Sequence, residues 1–179
     1  MLDCLTHPLT FPKYSLVKQY ENGGNFAVSK YYHFPWRFFY RHKIRMIEKA
    51  IRDERFGSIM DFGCGPGLMH DEWLKFSDKV YLIEKYANYI PKVDLAICAS
   101  VMEFVDLKKT MRLLSMSCDQ IVISSPMRNS ITETYFNAVG SYHTRNSHEE
   151  IISEMLKYFN LTHYESWMGL YFCARGSRR

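Results

Sequence analysis

The sequence predicts a doubly wound α/β domain: a mostly parallel sheet of about six strands, helices on both faces, and an antiparallel hairpin at the C-terminus. Three observations predict it. The apolar runs SIMDF (58–62), KVYLIE (79–84), VDLAICAS (93–100) and QIVISS (120–125) are continuous rather than alternating, as in strands buried on both faces. Segments with helical patterns lie between them, at 68–76 and 102–116. Near the end, the strand-like LTHYESW (161–167) and LYFCARG (170–176) are separated by only Met168 and Gly169, enough for a hairpin and too short for a crossover helix.

Taken in order, residues 1 to about 34 carry Pro8, Pro12 and Gly23-Gly24 without a sustained period, an irregular arm with one short helix expected near Ser15 to Tyr20. From Arg37 to Arg55, Phe38, Arg41, Ile44, Ile47 and Ile51 recur at near-helical spacing, predicting an amphipathic helix with a basic outer face. The strands and helices named above follow. A polar loop with aromatics then spans 124–147, too long to be a mere connection. HEEIISEMLKYF (148–159) reads as a helix with acidic residues in its first turn. The whole reads as a single domain, with 1–36 an N-terminal arm or lid and 37–176 the core.

The chain of 179 residues is 47% hydrophobic and 23% charged, ordinary for a globular protein with a full core. A net charge of +4 mildly favours anionic partners but is far from a dedicated nucleic-acid arm. Five cysteines without paired C-x-x-C spacing predict neither a disulfide framework nor a structural metal site, and Cys98 and Cys173 read as packing residues. The start MLDCLTHPLT lacks a basic region and an apolar core, and no apolar run reaches membrane-spanning length, so a cytoplasmic protein is expected.

The chemistry concentrates in DFGCGPG (61–67), between a predicted strand and a predicted helix, where backbone N–H groups and close approach serve a bound ligand. The spacing is Gly63-x-Gly65-x-Gly67. Leu68 stands where the dinucleotide fingerprint wants a later glycine, and the Gly-Lys-Ser/Thr of a P-loop is missing. Glu84 ends the next run 17 residues beyond Gly67, where a carboxylate takes both hydroxyls of a ribose. Asp61, ahead of the glycines, suits a cationic amine better than a pyrophosphate. The two acids together favour a ligand with a ribose and a positive end.

This run, the later Val-Tyr-Leu-Ile-Glu, and the segment from Asp94 to Val105 resemble the successive motifs of the class I S-adenosylmethionine-dependent methyltransferases, from about Ser58 to Arg175. The resemblance implies a Rossmann-like fold and S-adenosylmethionine as cofactor. It implies that Asp61, Gly63, Cys64, Gly65, Pro66 and Gly67 hold the amino-acid end, Glu84 with Lys85 the ribose side, and Ala99, Ser100 and Val101 line the site. One departure stands out. The family has a helix and a further strand after the ribose acid, whereas only nine residues, 85 to 93, intervene here, too few for a crossover. A sheet trimmed at its edge is expected, with Tyr86, Ala87, Asn88 and Tyr89 improvising the adenine side.

On the acceptor side, His143 in the 124–147 loop is the candidate proton acceptor, with Tyr142 and Arg145 beside it, against the plainer reading of a loop histidine. Tyr31, Tyr32, His33 and Trp36 are lid or acceptor residues, or simply core-facing aromatics. Glu103 opens a predicted helix and either complements its dipole or acts directly. No Asp/Asn-Pro-Pro-aromatic run or Pro-Cys pair marks a nucleic-acid base methyltransferase, and Asp94 opens its strand rather than closing it, so a metal-dependent catechol-type site is not expected. The leading expectation is an enzyme that methylates O or N of a small molecule. The alternatives are an RNA acceptor, encouraged by the basic helix and the tail Arg175 to Arg179, or a non-catalytic methyltransferase-like binding subunit.

Overall fold

The computed structural model describes residues 36–52, 54–85, 87, 89–129, 132–133 and 146–179, with only the backbone of Trp36 and Arg37. Helix α1 (Trp36–Ile51) precedes β1 (Ile59–Phe62), the short α2 (His70–Trp73), β2 (Val80–Ile83), β3 (Val93–Ala99), α3 (Leu107–Ser117), β4 (Cys118–Pro126), α4 (His148–Met155), β5 (Phe159–Trp167) and β6 (Tyr171–Arg178). The six strands form one sheet in the order β2-β1-β3-β4-β6-β5. β1 to β4 pair in parallel, and β6 joins β4 antiparallel with β5 outside it, the expected hairpin.

The continuous apolar runs are central strands for the reason their composition gives. All four residues of β1 are buried, and β3 is buried at Val93, Leu95, Ala96, Ile97 and Cys98. On one face α1 and Trp73 pack over Ile59, Leu95, Ile97, Val122 and Cys173. On the other α3 and α4 pack over Met60, Ala96, Ile121 and Ile123 through Met111, Leu114, Ile151 and Met155. β5 lies at the edge and exposes most of its first half.

Element ends differ from the sequence expectation at identifiable residues. The segment 102–116 is not one helix. Val105 is extended (φ −114°, ψ 164°), a 3₁₀ turn Met102–Phe104 stands before it, and Asp106 restarts the chain as an N-cap accepting from the Lys109 N–H. α4 begins at a capping box in which Ser147 and Glu150 satisfy each other's backbone N–H, and it stops at Met155 so that β5 starts at Phe159. α1 ends at Ile51, before Arg52 at φ 58°. Its buried stripe is Tyr40, Lys43, Ile44, Met46, Ile47, Ala50 and Ile51, while Phe38, expected inside, is 55% exposed and Arg41 is exposed. Between β2 and β3 the described residues form no helix or strand, and the Ala87 N–H turns back onto the Glu84 carbonyl at 2.9 Å. β2 is therefore the sheet's edge on that side, as the short connection requires.

Candidate functional site

The carboxyl ends of β1, β2 and β3 meet at one place. Phe62 pairs with Ile83 and Asp61 with Ile97, so the residues following these strands are neighbours. The chain leaves β1 for β2 on one side and then returns to β3 on the other. This is the switch point where open α/β sheets bind ligands.

The glycine loop is shaped by backbone that only glycine adopts freely: Gly63, Gly65 and Gly67 have φ of 78°, 54° and 74°. The Gly63 N–H donates to the Ile83 carbonyl at 2.6 Å and the Gly67 N–H to the Cys64 carbonyl at 3.0 Å. A Cβ on Gly63 would lie 2.3 Å from Val101 Cγ2, so the loop presses on the end of β3. There Ser100 takes a left-handed φ of 55°, its N–H bonded to the Ser124 carbonyl at 2.7 Å. Glu84 and Lys85 follow β2 beside the loop, both half-buried, and the Lys85 ammonium lies over the Phe104 ring at 5.4 Å. Cys64, Gly65 and Pro66 are also half-buried.

Beneath the loop lies a buried charge cluster. Asp61 is 3% exposed, and its Oδ2 accepts from Trp73 Nε1 at 3.0 Å. Burial pushes its carboxyl up to about 6, opposed by that hydrogen bond and by Lys43 and His70. Lys43 is buried with its Nζ 3.2 Å from Ser100 Oγ. Burial pulls its ammonium down to about 8, opposed by Glu103 and Asp61. Glu103 is buried and accepts from Ser125 Oγ at 2.6 Å; burial pushes it up to about 6, against that bond and the attraction of Lys43 and Lys85.

The structure thus gathers Asp61, the 63–67 loop, Glu84, Lys85, Ala99, Ser100 and Val101 at one end of the sheet. Glu103 does not stand exposed at a helix start but is enclosed, its carboxylate accepting from Ser125 Oγ. Lys43 was missed because it was counted on the basic outer face. The signal was present: it lies between Tyr40 and Ile47 on the apolar stripe. Asp94 sits at the opposite end of β3, holding the Ser58 N–H at 3.0 Å. Cys98 and Cys173 are fully buried, and burial raises both thiols.

His143, Tyr142, Arg145, Tyr31, Tyr32 and His33 lie outside the described residues, as do Tyr86, Asn88 and the Trp36 side chain. Ala87 packs against the core, whereas Tyr89 is 76% exposed. A further group of aromatics was not foreseen. The His42 and Trp167 rings lie 4.2 Å apart with Phe38 against Trp167 at 6.1 Å. Because Tyr171 pairs with Pro126, the turn at Met168 and Gly169 lies at the same end of the sheet as the glycine loop. An open cleft of about 690 Å³ between Val105 to Lys108 and α4 includes none of the loop residues or Glu84.

No family model and no curated protein matches the sequence. Solved structures do match. The N-methyltransferase NodS from Bradyrhizobium japonicum WM9, in complex with S-adenosyl-L-homocysteine, superposes with a TM-score of 0.62 at 10% identity over 91% of this chain and 98% of that one. Magnesium protoporphyrin IX methyltransferase (ChlM) from Synechocystis PCC 6803, with bound S-adenosyl-L-homocysteine, gives 0.56 at 12% identity over 93% and 94%. An rRNA methylase from Escherichia coli gives 0.51 at 10% identity over 98% and 79%. Across most of its length, the chain has the fold of the class I S-adenosylmethionine-dependent methyltransferases.

Proposed function

We propose that the chain is an S-adenosylmethionine-dependent methyltransferase acting on oxygen or nitrogen of a small-molecule acceptor. The observation that carries the reading is the three left-handed glycines at the end of β1 with Glu84 at the end of the adjacent strand. The residues present fit the cofactor. The Gly63 to Gly67 cradle lets backbone come close, a carboxylate stands where ribose hydroxyls are taken, and Asp61 and Glu103 supply negative charge for a cationic ligand. Two of the fold's neighbours were solved with S-adenosyl-L-homocysteine.

When bound, the cofactor supplies a methyl group already activated by a positive sulfur. The protein's share is orientation and exclusion of water. The loop fixes the amino-acid end, Glu84 the ribose, and Ala99 to Val101 the wall next to the reacting atoms. The acceptor side falls to the arm (1–36) and the 124–147 loop, with His143 accepting a proton where the acceptor carries one, and with Tyr31, Tyr32, His33, Trp36, Tyr142 and Arg145 around it. The Phe38, His42 and Trp167 cluster adds an aromatic rim.

Calorimetric titration with S-adenosylmethionine and S-adenosylhomocysteine tests the reading. Binding is expected, and Glu84→Ala should weaken it by about 1 to 3 kcal/mol. No detectable binding would leave only a non-catalytic scaffold, and unchanged affinity in the variant would mean that the ribose is held elsewhere. An RNA acceptor is favoured by one observation, the exposed Arg41 and Arg45 on α1 beside Phe38. RNA retention that falls steeply with salt would select it.

A further inference from the structure

The positive charge of the chain is concentrated in one place. Residues 37–55 hold seven Lys and Arg against three Asp and Glu, and the rest of the chain holds sixteen of each, so this segment alone accounts for the surplus of four. A modest overall charge thus hides a strong local one, and the local field is what a polyanion meets.

Helical geometry arranges these cations. At 100° per residue, Phe38, Arg41, Arg45 and Lys49 fall within an arc of about 80° on the face of α1 away from Ile44, Ile47 and Ala50, and Arg52 follows directly after the helix. All five are exposed. Among the described residues no acid pairs with Arg41, Arg45 or Arg52, whereas Lys49 is held by Glu165. The acids next to the row have partners of their own, Glu48 with Lys75 at 3.2 Å and Glu54 with Arg175 at 3.0 Å. Cations at i and i+4 rise about 6 Å along the helix, close to the step between successive phosphates of an extended strand.

A second observation lies at one end of the row. Phe38 is 55% exposed although the face it shares is charged, and its ring is steadied by His42 at 6.5 Å and Trp167 at 6.1 Å. This end of α1 is the one nearest the glycine-loop end of the sheet, since Lys43 Nζ reaches Ser100 Oγ at 3.2 Å. A line of cations leading to an open aromatic ring suits a single strand, whose phosphates lie on the cations and whose bases stack on the ring. A paired duplex keeps its bases stacked on one another and has no use for the ring.

We propose that the outer face of α1 binds a single-stranded nucleic acid, with the backbone along Arg52, Lys49, Arg45 and Arg41 and a base stacked on Phe38. The strand is thereby led to the glycine-loop end of the sheet. This deepens the RNA reading given above, on which it rests, by assigning where the strand lies, and it does not depend on the donor site.

The test follows the fluorescence anisotropy of a labelled single-stranded RNA of about twelve nucleotides, titrated with the full chain across a salt series. Binding is expected at low salt and should weaken steeply as salt rises. Arg41→Gln and Arg45→Gln should each make the slope of log affinity against log salt shallower by about 0.7. Lys108→Gln, an exposed cation on α3, should leave affinity and slope as they are. Phe38→Ala should weaken binding roughly 5- to 100-fold with the slope unchanged, and Phe38→Trp should keep it tight. Because these side chains are exposed, the variants should melt with the wild type, which thermal unfolding checks. No binding at low salt would overturn the proposal. So would a wild-type slope in both arginine variants, or a Phe38→Ala variant that binds as the wild type does, since attraction to charge alone would then explain the binding. Sedimentation with phosphatidylserine-containing vesicles in preference to RNA would assign this face to a lipid surface and overturn it as well. Calorimetry with S-adenosylhomocysteine on the same samples reads the donor site separately, so either reading can fail while the other stands.

Discussion

Gly63 answers to two constraints at once, a left-handed φ of 78° and a Val101 methyl 2.3 Å from where a Cβ would sit. Gly63→Ala should therefore cost about 2 to 4 kcal/mol in chemical denaturation, part conformational and part steric. Val101→Ala in the same chain should relieve only part of the clash, because the Val101 Cβ itself lies 2.6 Å from the added carbon, and it leaves the conformational part, about 1 to 2 kcal/mol. The buried carboxylates set a different signature. Glu103 titrates near 6 in the folded chain against 4.5 for an ordinary glutamate, so between those values the folded state binds more protons and stability falls as pH rises. Glu103→Gln removes that slope. Its melting temperature relative to wild type should move in the variant's favour between pH 4.5 and 7, by the equivalent of about 2 kcal/mol. A parallel pair of curves would contradict the burial argument. Glu54 works in the opposite sense. Its hydrogen bond with Arg175 holds it low, so the stability it contributes is lost as pH falls, which is why the difference from the variant is the informative quantity. At this scale Asp61, the glycines and Glu84 were legible because strand, loop and strand end are local in sequence. Lys43 with Ser100, and Glu103 with Ser125, were not, being joined across 57 and 22 residues by helix packing.

Among the elements, α1 and the sheet are tied by Arg175. From β6 its guanidinium donates to the Ala50 and Ile51 carbonyls at 3.0 and 3.3 Å, to Glu54, and to the Gln120 side chain at 3.0 Å. It thus takes carbonyls that the end of α1 leaves without intrahelical donors. Arg175→Met should lower stability by about 2 to 3 kcal/mol, read as a fall in melting temperature of roughly 5 to 10 °C for a chain of this size. Glu54→Gln should cost far less, its side chain being 46% exposed. The tail Arg175 to Arg179 is therefore not a free basic arm: Arg175 is enclosed and Arg178 pairs with Asp119 at 2.6 Å. Sequence periodicity located every strand within a few residues. It could not place the break at Val105, because apolar spacing runs on through a residue that happens to be extended.

For the molecule as a whole, architecture was more legible than use. Continuous apolar runs and a short hairpin connection, three residues from Met168 to Leu170 in the structure, determine the sheet, since burial on both faces and chain length admit few other arrangements. The proposed acceptor is not written in such patterns, because binding loops obey no period. The short tie from β2 to β3 has one more consequence. Since no strand among the described residues pairs with β2 on its outer side, a helix and strand spliced between Glu84 and Val93 would lengthen the sheet outward without unpairing any described strand, so the fold can grow or shrink at that seam while the glycine-loop end stays as it is.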